Sequence, residues 1–260
     1  MYGGNMVFQK TWLDTRWRFL AGLIILTCSA IGIVLVYPQV VQLLPLAAGI
    51  DMHGKLGEEI RKAIELSSSF RGYTWLKWSD GSVLSLGPLF AILLGAGGVF
   101  SQSTGGGAYY TLALPVSRRK LLATRAATGL GELLIVLLLP SLAIPLVAPA
   151  IGESASLLDA FVHGVCAFTA GSLFFSLTLL LATVFADVWR PVLIAILVAG
   201  FIGLGELFLH DDLPFGIFQT MSAEIYHATG ALPWIGLAVC AAGSAALIYA
   251  AMLNLDRRDF

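Results

Sequence analysis

The hydrophobic and polar positions of this chain separate on the scale of whole helices. Long apolar runs are divided by shorter segments that hold most of the charged residues. Each run is close to the ~20 residues that an α-helix needs to cross the hydrocarbon core of a bilayer. The pattern therefore predicts six membrane-spanning helices, over about 17–37, 82–103, 126–149, 160–185, 191–209 and 231–254.

The first connecting segment, 38–81, is long and has a helical pattern of its own. Leu56, Ile60 and Ile64 recur at intervals of four, with charged residues between them. This spacing is typical of an amphipathic helix on a membrane surface. The aromatic stretch YTWLKW (73–78) follows, and its rings are predicted to anchor the chain at the interface. A lid over a translocation path is the alternative interpretation of this outer loop.

Two further segments are too polar or too short to span. The segment 211–230 belongs to the region 210–233, which has a proline toward each end, and it predicts a short re-entrant or interfacial helical pair before the last span. Residues 6–18 predict a short amphipathic helix on the inner surface, with Phe8, Trp12 and Leu13 toward lipid.

Composition supports a membrane class. Hydrophobic residues make up 58% of the chain and charged residues 12%, with a mean hydropathy of +0.86. A soluble domain carries about 25% charged residues. The three cysteines lie inside apolar runs without a metal or disulfide spacing, so free buried thiols are expected. The net charge of −1 gives no sign of a nucleic-acid partner.

The distribution of charge predicts the orientation. With six spans both termini share a face, and ten of the 15 Lys and Arg residues lie on that face. The opposite face holds the other five, all within 38–81, where acidic residues balance them. By the positive-inside rule both termini are cytoplasmic.

The sequence contains no motif for chemistry in this chain. The glycines at 105–107 are followed by Ala-Tyr-Tyr, whereas a phosphate-binding P-loop requires a lysine. No HExxH or GxSxG occurs. We therefore predict no catalytic residue, no metal site and no cofactor in this chain. Metal-ligand residue types do occur toward the outer face, without diagnostic spacing, and a solvated surface is the expectation for them: Asp159, His163, His210, Asp211, Asp212, Glu224 and His227.

Two carboxylates fall inside predicted spans. Burying a charge in lipid is costly, so Glu132 and Glu206 are candidates for the transport path or gate. Structural hydrogen bonding is the alternative for each. Arg125 lies seven residues before Glu132 on roughly the same helix face, so the two side chains could pair.

One basic run stands between the second and third spans. The stretch LALPVSRRKLL (112–122) resembles the cytoplasmic segment at this position in ABC-2 type permeases, the membrane subunits of ATP-binding-cassette exporters. The ending DRRDF (256–260) is similar to the ending of the same permeases, and the likeness covers essentially the whole chain. The chain departs from the family within SQSTGGGA (101–108), where Gln102 stands in place of a common acidic residue.

The resemblance implies an all-α, six-helix ABC-2 (type V exporter-like) permease fold over 1–260, as one domain. It implies that the cytoplasmic segment 105–125 is a coupling segment that docks on a separate ATPase subunit. The docking residues would be Leu114, Pro115, Val116, Ser117, Arg118, Arg119, Lys120 and Leu121. Without the resemblance, the basic residues would only fix topology and bind anionic headgroups.

The resemblance also implies partners. Two ATPase subunits would bind ATP and magnesium, and a second permease copy would complete a homodimer in a bacterial or archaeal cell membrane. Three alternatives remain open from the residues alone: an ion-coupled secondary transporter or channel that acts without an ATPase, an intramembrane enzyme, and a membrane sensor.

Overall fold

The computed structural model describes residues 2–48, 55–96, 117–185, 187–209 and 215–256. Within these ranges the chain is helical and contains no strand. A π-helix, Trp75–Val83, joins α3 to α4, and a 3₁₀ turn, Ala148–Ile151, follows α5. The α-helices are α1 (Tyr2–Ala48), α2 (Lys55–Ser67), α3 (Phe70–Thr74), α4 (Leu84–Gly95), α5 (Arg118–Val147), α6 (Leu157–Val184), α7 (Trp189–Leu209), α8 (Ile217–Met221), α9 (Glu224–Thr229) and α10 (Trp234–Asp256).

Six helical segments among the described residues are long and apolar enough to cross a membrane. This confirms the all-α class and the number of spans predicted from the apolar runs. Their outward side chains fit a lipid environment: Leu197, Phe201 and Phe208 of α7 are all exposed. The segments are Phe8–Pro45, Phe70–Gly95, Arg119–Ile151, Leu157–Val184, Trp189–Leu209 and Trp234–Leu255.

The two ends of the bundle are distinguished by the contacts between helices. We call the end where α1 begins and α10 ends the terminal end. There α1 and α5 contact the last described residue after α4, and Asn254 of α10 donates to Thr183 of α6. The other end, where Tyr37 of α1 packs against Phe70 and Tyr73 of α3, is the distal end.

The core is organised around α6. This helix packs against α4, α5, α8 and α10. Phe174, Phe175 and Leu179 of α6 are each 1% exposed and form the middle of one continuous core. Because these side chains pack against the neighbouring helices, they fix the positions of those helices relative to α6.

The first helix differs from the prediction for residues 6–18. Those residues are part of the single helix α1 rather than a separate surface helix. Thr11, Thr15 and Phe19 are buried on one face of α1, and α1 packs extensively against α5. The prediction failed because these two threonines make a polar-looking face that packs against the bundle.

The second span also begins earlier than predicted. Its apolar run predicted a start near 82, whereas the helical segment begins at Phe70, with the Ser69 side chain capping it. Tyr73 and Trp78 are 3% and 2% exposed, so they pack inside the bundle. The sequence predicts interface anchors here because it does not show that Trp78 and Ser79 contact α5 and α6.

The two helical connections have the predicted type. The amphipathic pattern in 38–81 corresponds to α2, in which Ile60 and Ile64 are half-buried and Arg61 and Lys62 are exposed. The predicted helical pair in 211–230 corresponds to α8 and α9. Its central residues, Thr220 to Ala223, are buried, so the pair enters the bundle instead of lying wholly on its surface.

Candidate functional site

The described part of the predicted docking segment forms the first turn of α5. Leu114, Pro115 and Val116 lie outside the described residues, as does the side chain of Arg118. Ser117 has extended backbone angles and its hydroxyl accepts from the Lys120 N–H at 3.4 Å, which is an N-cap. Arg119 and Lys120 are exposed, and Leu121 is half-buried. Leu122 packs into the core, so this turn presents basic groups outward on an anchored base.

Two arginines hold the end of the second span at the terminal end. The Arg18 guanidinium donates to the Leu93 carbonyl at 3.0 Å and also to the Ala96 carbonyl. Arg125, 8% exposed, donates to the same Ala96 carbonyl at 3.4 Å. Carbonyls at a helix C-terminus lack intrahelical partners and favour cations. The two arginines therefore tie α1 and α5 to the residue where the 97–116 segment begins.

Glu132 lies deeper in the same region. It is 3% exposed, and Thr15 of α1 donates to its Oε1 at 2.6 Å. Its Oε2 and the Nε of Arg125 are buried without a hydrogen-bond partner in the described chain. The guanidinium of Arg125 is directed to Ala96 and forms no ion pair with Glu132 in the described structure. Glu132 stays a candidate for the transport path, and its Oε2 has no hydrogen-bond donor in the described chain.

Glu206 has a different environment. Its carboxylate accepts from the backbone N–H groups of Ile217, Phe218 and Gln219, the last two at 2.9–3.2 Å. These are the first N–H groups of α8, which have no acceptor within the helix. A Cβ at Gly216 would meet the carboxylate, so the approach requires glycine there. The contacts favour the structural alternative for Glu206: it caps α8 from α7.

A cavity of about 250 Å³ lies at the distal end. Its walls come from α3 and the π-helix, from the end of α5, from the start of α6 and from α9. The apolar part of the lining includes Phe70, Trp75, Trp78 and Ile144. A concave, largely apolar space with a few polar groups is the usual form of a small-molecule site.

The polar groups of this cavity are mostly paired. Arg71 Nε lies 3.4 Å from Asp159 Oδ2, and the Tyr226 hydroxyl donates to Asp159 Oδ1 at 2.8 Å. Ser79 Oγ and His163 Nδ1 are 3.3 Å apart. The hydrogen bond to Asp159 raises the pKa of Tyr226, because losing that proton would leave two like charges in contact.

The aromatic groups are also fixed by partners far away in sequence. Trp75 stacks on His227 with ring centroids 4.5 Å apart, and its Nε1 donates to the Ser222 carbonyl at 3.0 Å. Trp78 Nε1 donates to Ser141 Oγ at 3.1 Å. Burial lowers the pKa of His227, because desolvation disfavours the imidazolium.

The sequence identified some of these residues but not their association. Asp159, His163 and His227 were expected on a solvated outer face, and they meet at the cavity instead. Of the rest of that group, His210, Asp211 and Asp212 lie outside the described residues. Among the described residues, no group of three or more His, Cys, Asp or Glu side chains is arranged so that it could hold a metal ion.

Comparison of the chain with protein-family models, with curated proteins and with solved structures found no match.

Proposed function

We propose that the chain is the permease subunit of an ABC exporter of the ABC-2 type. It forms the translocation path for a substrate, together with a second copy of itself. ATP hydrolysis takes place in two separate nucleotide-binding subunits. In this proposal the terminal end is cytoplasmic, the chain resides in the cell membrane of a bacterium or archaeon, and the segment 105–125 docks on the ATPase.

The arginine contacts at Ala96 carry the proposal. A docking segment does mechanical work only if its ends are attached to the membrane helices. The stretch 97–116, which includes residues 105–116 of the docking segment, starts after Ala96, which Arg18 and Arg125 hold, and leads into the capped first turn of α5. A displacement of this segment would therefore act on α1, α4 and α5 together.

The residues of the first turn of α5 support docking on a protein. Arg119 and Lys120 are exposed, while Leu122 is 2% exposed in the core. Basic side chains on a firmly packed base suit an acidic groove on a partner, because the helix does not need to fold on binding.

An ion-coupled transporter is the second candidate, and one observation favours it. Glu132 is a buried carboxylate in a membrane helix with one oxygen lacking a hydrogen-bond partner in the described chain. A carboxylate in this state could take up a proton or contact a cation in the path.

The first experiment is a purification of the chain from its own host in a mild detergent. Stoichiometric partners would be identified by mass spectrometry, and ATP hydrolysis would be assayed. We expect a co-purifying ATPase that is lost in the double variant Arg118→Glu, Arg119→Glu. The matched control is Arg61→Glu, Lys62→Glu, which reverses two exposed charges on α2 and should keep the ATPase bound.

Two results would contradict the proposal. One is an isolated oligomer with no ATPase. The other is transport that depends on a proton gradient, ignores ATP and disappears in Glu132→Gln; this result would establish the ion-coupled alternative.

A further inference from the structure

The wall of the distal cavity contains an uncommon element. The nine-residue π-helix Trp75–Val83 supplies Trp75, Trp78 and Ser79 to the lining. π-Helical turns are rare and occur frequently at functional sites. Both tryptophans of this helix donate hydrogen bonds to other parts of the bundle, Trp75 to the turn after α8 and Trp78 to α5.

Two polar atoms at the cavity lack partners. Thr74 Oγ1 and His227 Nδ1 are buried, and neither makes a hydrogen bond within the described chain. Both residues line the cavity. A buried polar group without a partner costs about 1–3 kcal/mol, so native proteins rarely leave two together. Less than 1 Å² of either atom is accessible as the side chains lie, so a bound molecule with a hydrogen-bonding group would satisfy one of them after that side chain turns toward the cavity.

The charges at the cavity cancel. Asp159 has both oxygens occupied, one by Arg71 and one by Tyr226. Its negative charge is balanced by Arg71, whose side chain is 60% exposed to solvent. Burial lowers the pKa of His227, so its ring is neutral at neutral pH. A charged ligand would therefore lose its hydration without gaining an unpaired counter-charge.

The volume and the walls of the cavity restrict the class of ligand further. A volume of about 250 Å³ lies below the ~300–1,000 Å³ of drug-sized pockets. Flat aromatic walls favour a planar ring in offset or edge contact.

We propose that the distal cavity binds a small uncharged molecule with an apolar ring and one hydrogen-bonding group, of the class of aromatic alcohols. The hydroxyl of the ligand would reach Thr74 or His227, and its ring would pack against Trp75 and Trp78. This site is independent of the proposed function, since it lies at the end of the bundle away from the docking segment.

The test uses the full chain in phosphatidylcholine nanodiscs with three probes of similar shape: benzyl alcohol, benzoate and benzylamine. Binding is measured by saturation-transfer NMR, and the signal from empty nanodiscs is subtracted to remove partition into lipid. We expect saturable binding of benzyl alcohol, at least tenfold tighter than either charged probe. Equal affinity for all three, preference for a charged probe, or no saturable binding would overturn the proposal.

Variants locate the site. Thr74→Val removes the hydroxyl, and His227→Phe removes the ring nitrogens while it keeps a ring against Trp75. Each variant should therefore lower the affinity for benzyl alcohol by roughly three- to tenfold while the chain stays folded. Ala160→Phe fills the cavity and should abolish binding. Thr124→Val, on α5 near the terminal end, is the matched control and should change nothing. Binding that survives in Ala160→Phe, with normal thermal unfolding, would place the ligand elsewhere and refute the assignment.

Discussion

The capping role of Glu206 gives the sharpest prediction, because it separates a structural carboxylate from one in a transport path. Replacing Glu206 with alanine removes the acceptor of three backbone N–H groups at the start of α8. One unsatisfied buried N–H costs about 1–3 kcal/mol, and loss of a helix cap costs about 1 kcal/mol. The three amides are partly buried, so water replaces some of the lost bonds. We take about 2 kcal/mol for the loss of all three hydrogen bonds, which corresponds to a roughly 30-fold increase in the equilibrium constant for local opening of α8.

Hydrogen exchange in nanodiscs measures this quantity directly. Amides 217–219 should exchange about 30 times faster in Glu206→Ala. Glu206→Gln keeps one acceptor oxygen and gives up the charge, so about half of the free energy, or roughly a fivefold change, is expected. The control is Glu65→Ala, which removes an exposed carboxylate on α2 and should leave these amides unchanged.

The reasoning would be refuted if amides 217–219 kept their protection in Glu206→Ala while α8 remained folded. A second result would point to the path role: if Glu206→Gln lost transport but its amide protection matched the wild type, the carboxylate would act on an ion and not on the backbone of α8.

Three further predictions address other parts of the bundle. Thr15→Val should lower thermal stability by about 1–3 kcal/mol because it leaves a buried carboxylate without its donor, whereas Thr124→Val, whose hydroxyl bonds only its own helix, should have little effect in the same unfolding assay. Gly95→Ala should lower the free energy of unfolding by about 1–3 kcal/mol, because a Cβ there would meet α6. Gly131→Ala, with open space around it, should be neutral or slightly stabilising. A larger loss of stability at Gly131 than at Gly95 would contradict the close packing of α4 on α6. Stability should fall as the pH drops below 6.5, because the pKa of His227 is lowered in the folded state and the unfolded chain takes up the proton; His227→Phe should flatten the fall, and an unchanged slope would exclude this residue as its cause.

The fold was predictable to the extent that lipid dictates it. An apolar run near 20 residues has few stable alternatives to a spanning helix, because backbone polar groups in hydrocarbon must be paired internally. The same reasoning located α2 by its spacing and the α8–α9 pair by its flanking prolines. It misplaced the start of the second span, because Trp78 and Ser79 look interfacial in sequence and are buried by α5 and α6.

The sites were predictable only as separate residues. Glu132 and Glu206 both stood out as acids inside spans, yet one is buried with an open oxygen and the other caps a short helix. The difference depends on Thr15 and on the amides of α8, which no local pattern connects to either acid. The distal cavity was missed for the same reason, since Trp75 reaches its partner Ser222 across 147 residues of sequence.

The length of α1 makes its contacts sensitive to the thickness of the bilayer. The helix Phe8–Pro45 has 38 residues and is therefore about 57 Å long, against about 30 Å of hydrocarbon. Its apolar run covers only about 17–37, and the turns before it hold Lys10, Asp14, Arg16 and Arg18. The charged turns project beyond the hydrocarbon, because burying their charges in lipid is costly, and the tilt of the helix adjusts the apolar run to the bilayer thickness. One rod carries Arg18 at one end and Tyr37 at the other, so a change in bilayer thickness that re-tilts α1 would shift the contacts at both surfaces at once. Lipid chain length is thus an experimental variable for this chain, as ionic strength is for a soluble protein.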